Sequence, residues 1–95
     1  MNNNIKVILD NYEISKEQYE KIYEYLKCMN NVYHTMEDLS QYDYESYVAQ
    51  LIGNKHSHYP AEDIAIELYK MGEFKELIKN VIYKDNIKVL SELKK

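Results

Sequence analysis

Ser15-Lys16-Glu17-Gln18-Tyr19-Glu20-Lys21-Ile22-Tyr23-Glu24-Tyr25-Leu26-Lys27-Cys28-Met29 is the stretch whose reading decides the fold class. Ser15 with Gln18 three residues on makes a capping box, in which two side chains satisfy backbone N–H groups at the opening of a helix. Tyr19, Ile22, Tyr23, Leu26 and Met29 then recur at steps of three and four, which places them on one stripe of that helix. Glu17, Glu20 and Glu24 fall on the other side, with Lys21 and Lys27 nearby. The stretch therefore predicts an amphipathic helix with one face for a core and one for water, ending at Asn30-Asn31.

Toward the C-terminus the same period returns. Thr35 is placed to cap a short turn over Met36 to Leu39, and Asp43 begins a second clear helix with the stripe Tyr44, Tyr47, Val48, Leu51 and Ile52. Gly53 stops it, because glycine takes the left-handed conformation that closes a helix end. After the polar connector Asn54 to Tyr59, Pro60 suits the first position of a third helix, where its missing N–H has no intrahelical partner anyway. That helix runs to Met71. Gly72 permits a tight reversal, and Glu73 opens a fourth helix with Phe74, Leu77, Ile78, Val81 and Ile82 on its inner face, expected to pack antiparallel to the third. Asp85 or Asn86 caps a last short helix bearing Ile87, Leu90 and Leu93, with Lys94 and Lys95 suiting its C-terminus.

Two of these helices share a pattern: Asp43-Tyr44-x-x-Tyr47-Val48-x-x-Leu51-Ile52 parallels Glu73-Phe74-x-x-Leu77-Ile78-x-x-Val81-Ile82. A solenoid needs three or more repeats, so the match reads as two helices built to one amphipathic template.

Toward the N-terminus the signal is double. Ile5, Ile8, Leu9 and Tyr12 lie at helical spacing, while Ile5-Lys6-Val7-Ile8-Leu9 also alternates like a strand. A strand needs a partner, and only Val81 to Leu90, turning at Lys84-Asp85-Asn86, could supply one. The helical reading needs none. The expected fold is all-α, a compact bundle of five to six short helices forming a single domain over residues 1–95. Its alternative is an α+β fold, with a small sheet made from residues 4–10 and a C-terminal hairpin over 80–90.

With 95 residues, 45% of them hydrophobic, the chain can build one core without staples and no second domain. Eleven residues are Tyr, whose hydroxyls need a partner or water, so they are expected at the core boundary. The net charge is -4 and all 12 basic residues are Lys. Nucleic-acid readers rely on a basic field and on arginine's bidentate contacts, so nucleic-acid binding is disfavoured. Heavy use of Lys, Asn, Ile and Tyr, without Arg or Trp, fits the codons of an AT-rich genome such as that of a low-GC bacterium, its plasmid or its phage. No apolar run is long enough to span a bilayer and no leader opens the chain, so a reducing, cytoplasmic setting is expected, with no membrane partner.

Few residues suggest reaction chemistry. Cys28 lacks a neighbouring histidine to activate it and reads as a small buried hydrophobe. His56-Ser57-His58, with Glu62 and Asp63 beyond, is the one cluster of metal-ligand character. It lacks the further spaced ligands of a tetrahedral site, and His34 lies in another connector. The acidic pair already makes sense as favourable charge in a first helical turn. No Ser-His-Asp set, HExxH or phosphate-binding loop is present, so no catalytic, cofactor-binding or metal residues are expected and no enzyme activity. The residues expected to meet a partner protein are Glu17, Glu20 and Glu24, a possible patch for a basic surface, and Tyr42 and Tyr44, since exposed tyrosines favour interfaces.

Within Ala61 to Ile78, residues Ala61 and Ile64, then Gly72, Phe74 and Glu76-Leu77-Ile78, follow a recognisable order. In this the stretch resembles the last helical hairpin of bacterial effector-associated, death-like adaptor domains. Tyr69, Gly72 and Phe74 are also similar to the turn of a tetratricopeptide hairpin, but an array of such repeats is excluded by length. The first resemblance covers about a fifth of the chain and implies a bundle of about six helices making homotypic or adaptor contacts in bacterial defence.

Three function classes follow as expectations. The first is a non-enzymatic protein-binding module, an adaptor or homo-oligomer in bacterial or phage conflict. The second is a phage-encoded, anti-CRISPR-like inhibitor that occludes a host defence nuclease with an acidic surface. The third is a helix-turn-helix regulator presenting Glu73 to Lys84 to DNA, which the absence of Arg argues against.

Overall fold

The computed structural model describes residues 3–35, 39–53 and 58–95, and every described element is helical. In chain order the helices are α1 (Asn3–Asn11), α2 (Lys16–Val32), α3 (Gln41–Ile52), α4 (Tyr59–Lys70), α5 (Lys75–Leu77), continued by a π turn at Ile78–Ile82, and α6 (Ile87–Leu93). No strand forms among the described residues. The all-α bundle is therefore the fold, and the small-sheet alternative is not.

Local signals set most of the boundaries. Ser15 caps α2 as its spacing predicts: its hydroxyl accepts from the Gln18 N–H at 3.0 Å, and the Gln18 side chain accepts from the Ser15 N–H at 2.9 Å. The end of α2 differs. It runs past Asn30-Asn31 to Val32 and tightens into a 3-10 turn over Tyr33–Thr35, where the Thr35 hydroxyl donates to the Val32 carbonyl. With no glycine to reverse the chain, the last carbonyls are met by a narrower winding and a side chain. Most of the turn expected over Met36 to Leu39 lies outside the described residues.

The start of α3 also differs. Its cap is Ser40, and Asp43 is the third helical residue, accepting from the Ser40 N–H at 3.0 Å. Gly53 closes α3 at φ 82°, as expected. The connector residues 54–57 lie outside the described residues, and Tyr59 belongs to α4, with Pro60 in the first turn.

At the far end of α4, Gly72 takes φ 87°, the Gly72 N–H donates to the Tyr69 carbonyl and the Glu73 N–H to the Leu68 carbonyl, both at 2.9 Å. This is the paired closure of a Schellman motif. Glu73 does not open the next helix. Phe74 adopts the left-handed conformation at φ 54°, and winding resumes at Lys75. Its ring packs on Tyr23, centroids 5.2 Å apart, a contact that offsets the roughly 1–2 kcal/mol cost of that backbone region.

The chain then winds wider than expected. The Tyr83 N–H donates to the Ile78 carbonyl, a five-residue step. Leu77 and Ile82, and Ile78 and Tyr83, stand five apart, and all four are buried. An α-helical register would have put Val81 inward instead, and Val81 is only partly buried.

Helix α4 is the centre of the bundle, touching α1, α3, α6 and the π turn. It buries Pro60, Ala61, Glu62, Ile64, Ala65 and Leu68, with Ile5 and Leu9 of α1, Val48 and Ile52 of α3, and Val89 and Leu93 of α6 in the same cluster. Two tyrosines, Tyr44 and Tyr83, are wholly inside, against the expectation that tyrosines keep to the boundary. Cys28, expected to be buried, is exposed on α2. Of the apolar residues that the last helix bears, Leu93 is buried and Ile87 is 83% exposed.

Candidate functional site

Helix α6 begins where Asn86 caps it, its side-chain oxygen accepting from the Val89 N–H at 3.0 Å. The amide of the same side chain donates to Gln41 Oε1 at 3.1 Å, which clamps the start of α6 to the first turn of α3. Gln41 in turn donates to Glu45 at 3.2 Å, and Glu45 accepts the Tyr83 hydroxyl at 2.9 Å. On the residues next to this clamp stand Tyr42, 78% exposed, and Ile87, the two most exposed large apolar side chains among the described residues. A shallow groove of about 170 Å³ runs beside Tyr42, lined by Val81, Ile82, Lys84 and Asp85. The junction is crossed by hydrogen bonds and carries two large exposed apolar side chains among polar neighbours, and exposed aromatic side chains of this kind are enriched at protein interfaces.

Tyr44 does not share this exposure. Its side chain is enclosed, its hydroxyl donates to the Ala61 carbonyl at 2.8 Å, and its ring meets Tyr83 edge-on with centroids 6.3 Å apart. Tyr44 is a core residue, and its expected contact with a partner is corrected accordingly. The two-residue step between 42 and 44 on a helix turns one side chain to water and the other to the core.

Glu17, Glu20 and Glu24 are all exposed on α2, apart from the Tyr42 junction in sequence. His34 is exposed, its ring 4.0 Å from that of Tyr33. His56 lies outside the described residues. Among those described, no three His, Cys, Asp or Glu side chains are grouped to hold a metal ion. No helix there is long and apolar enough to cross a membrane.

Sequence reasoning did not single out the pairing of tyrosines with carboxylates. Tyr12, just past the end of α1, donates to Asp63 of α4, Tyr23 of α2 donates to Glu73 at 2.8 Å, and Tyr83 donates to Glu45. Each pair joins elements distant in sequence. Burial, then the facing carboxylate, pushes the Tyr12 pKa up to about 12. Burial pushes Tyr19 up to about 12 and holds Tyr44 and Tyr83 well above the ordinary tyrosine value.

The second feature the sequence underplayed is Glu62. Expected as surface charge in the first turn of α4, it is only 6% exposed. His58 Nε2 lies 3.7 Å from Glu62 Oε2, and the imidazole carries charge only when protonated. Burial raises the Glu62 pKa, His58 and Lys88 oppose that, and Glu45 and Asp63 reinforce it. A carboxyl raised above its unfolded value stabilises the fold at pH below that value and loses the contribution as pH climbs through the folded one. Ionised Glu62 is therefore a net cost to the fold, and it lies in the wall of a groove of about 310 Å³ between α1, α4 and α6.

The chain matches no family model, no curated protein and no solved structure.

Proposed function

We propose that this chain is a non-enzymatic protein-binding module that docks through the Tyr42–Ile87 junction. The observation that carries the reading is the near-full exposure of those two side chains beside the Asn86–Gln41 clamp. Large apolar side chains held out on a fixed scaffold lose little conformational freedom on docking, and tyrosine is among the residues that dominate interface energetics. An adaptor role in bacterial or phage conflict goes with the resemblance carried by Ala61, Ile64, Gly72, Phe74 and Glu76-Leu77-Ile78. A cytoplasmic setting goes with the exposed free thiol of Cys28.

The test is capture of a partner from a low-GC bacterial extract on the immobilised chain, beside the double variant Tyr42→Ser, Ile87→Ser. Neither side chain supports the core, so the variant keeps its far-ultraviolet circular dichroism. A central tyrosine anchor is worth about 2 kcal/mol or more, so the variant's affinity for the captured protein falls at least about thirtyfold. Equal capture by both proteins refutes the reading.

A second reading is favoured by the exposure of Glu17, Glu20 and Glu24 on one helix: inhibition of a host defence nuclease by an acidic surface. Attraction of that kind weakens as salt screens it, whereas the apolar junction holds. Nuclease binding insensitive to salt and to reversal of the three glutamates counts against it.

A further inference from the structure

The groove between α1, α4 and α6 has a composition that specifies its occupant. Ile8, Tyr59 and Ile66 give it apolar walls, and Glu62, Asp63, Glu67 and Glu92 bring four carboxylates against one amine, that of Lys88. Three of those carboxylates are already engaged. Asp63 accepts from the Tyr12 hydroxyl, Glu67 from the Asn4 side-chain amide at 3.0 Å, and Glu92 from Lys95 at 3.1 Å.

Glu62 is different. Its side chain is more than nine-tenths buried, and the His58 Nε2 that faces it stands at 3.7 Å, beyond hydrogen-bond distance. Among the described residues nothing donates a hydrogen bond to its carboxylate, yet no atom of it is sealed away without a partner, so it is open to the groove whose wall it forms. A buried carboxylate left without a donor costs free energy unless a cation meets it. Here burial and the carboxylates of Glu45 and Asp63 raise that cost, His58 and Lys88 offset part of it, and a further positively charged group with a hydrogen to donate relieves the rest. The apolar walls suit the aliphatic stem of such a group, and Tyr59 already attracts an ammonium, with Lys88 Nζ 5.7 Å from its ring centre.

We infer that this groove is a receptor for a basic side chain, lysine or arginine, presented by a partner protein, with Glu62 as the residue that receives the charge. The inference rests on the reading of the chain as a protein-binding module and adds the chemistry of the partner.

The test uses the full chain and follows backbone amide shifts by nuclear magnetic resonance during titration with an N-acetylated, C-amidated Ala-Lys-Ala-Lys-Ala peptide. Shifts are expected to concentrate at Ile8, Tyr59, Glu62, Ile66 and Lys88. Glu62→Gln keeps the shape and removes the charge, and is expected to weaken binding about tenfold or more, the worth of a hydrogen bond to a charged group. Glu92→Gln, on the open rim, leaves the core untouched and is expected to weaken it about twofold, which keeps the test decisive should Glu62→Gln fold poorly. The same peptide with Glu for Lys produces no shifts.

Shifts spread evenly over Glu17, Glu20 and Glu24, or unchanged by Glu62→Gln and Glu92→Gln, overturn the inference. So does tighter binding of free cadaverine than of the peptide, which would make the groove a small-amine site. Failure here leaves the Tyr42, Ile87 capture result standing, so the two readings fall separately.

Discussion

Tyr44→Ala is expected to destabilise the chain by about 3–5 kcal/mol, the range for removing a buried aromatic ring, against a total of about 5–15 kcal/mol for a small domain. The ring sits between α3 and α4, wholly enclosed, stacked near Tyr25 with centroids 6.2 Å apart and edge-on to Tyr83. Tyr83 does not swing into the space, because its hydroxyl is held on Glu45. Tyr44→Phe keeps the ring and loses only the hydrogen bond to Ala61, so it costs about 1 kcal/mol. Urea unfolding with thermal melts checks both. At about 4–8 °C per kcal/mol the alanine variant loses more than about 12 °C in Tm. A loss below about 1 kcal/mol for Tyr44→Ala would contradict the placement of this ring at the centre of the core.

Above about pH 10, where tyrosine ordinarily ionises, the fold is expected to give way in one cooperative step. Burial holds Tyr44 and Tyr83 protonated in the folded chain, and Tyr12 and Tyr19 ionise near 12. Each has a folded pKa above its unfolded one, so each contributes stability that is complete below the unfolded value. That stability drains as pH rises toward the folded value, at about 1.4 kcal/mol per pH unit for each tyrosine still held protonated. The drain adds over several residues, and it ends in unfolding that releases protons. Tyrosinate absorbance and helical circular dichroism, followed together during alkaline titration, are expected to show two phases. In the later phase the buried pair Tyr44 and Tyr83 ionises in the same narrow interval in which helicity is lost. Full tyrosine titration with helicity retained would contradict the buried tyrosine cluster.

What the sequence made legible was what short-range chemistry decides. Ser15, Gly53, Gly72 and Asn86 act within one turn of themselves, and each ends or begins a helix where its residue type requires. The start of α3 escaped because its capping box carries Asp43 where the usual pattern has Glu or Gln, so Ser40 four positions upstream of the first apolar stripe residue went unread. The π turn at Ile78–Ile82 was hidden for a different reason. Leu77, Ile78, Val81 and Ile82 satisfy a 3.6-residue period, and only the demand to bury Tyr83 against Tyr44 favours the wider winding. Which tyrosines face inward was equally a tertiary matter. Tyr42 and Tyr44 look alike in the sequence, and the helix phase set by Ser40 separates them.

The candidate surfaces were read by halves. Tyr42 was visible as an aromatic outside the helical stripe. Its companion Ile87 was not, because an apolar residue at the start of an amphipathic helix is assigned by default to the core. Glu62 was visible as a first-turn acid. Its burial depends on α1 and α6 closing over it, which no local pattern encodes.

Amide hydrogen exchange of the chain, alone and bound to the partner it captures, measures the docking surface directly. Docking through the Tyr42–Ile87 junction predicts slowed exchange at Gln41 to Glu45 and at Lys84 to Val89. Slowing confined to Glu17 through Glu24, with the junction unchanged, would contradict it.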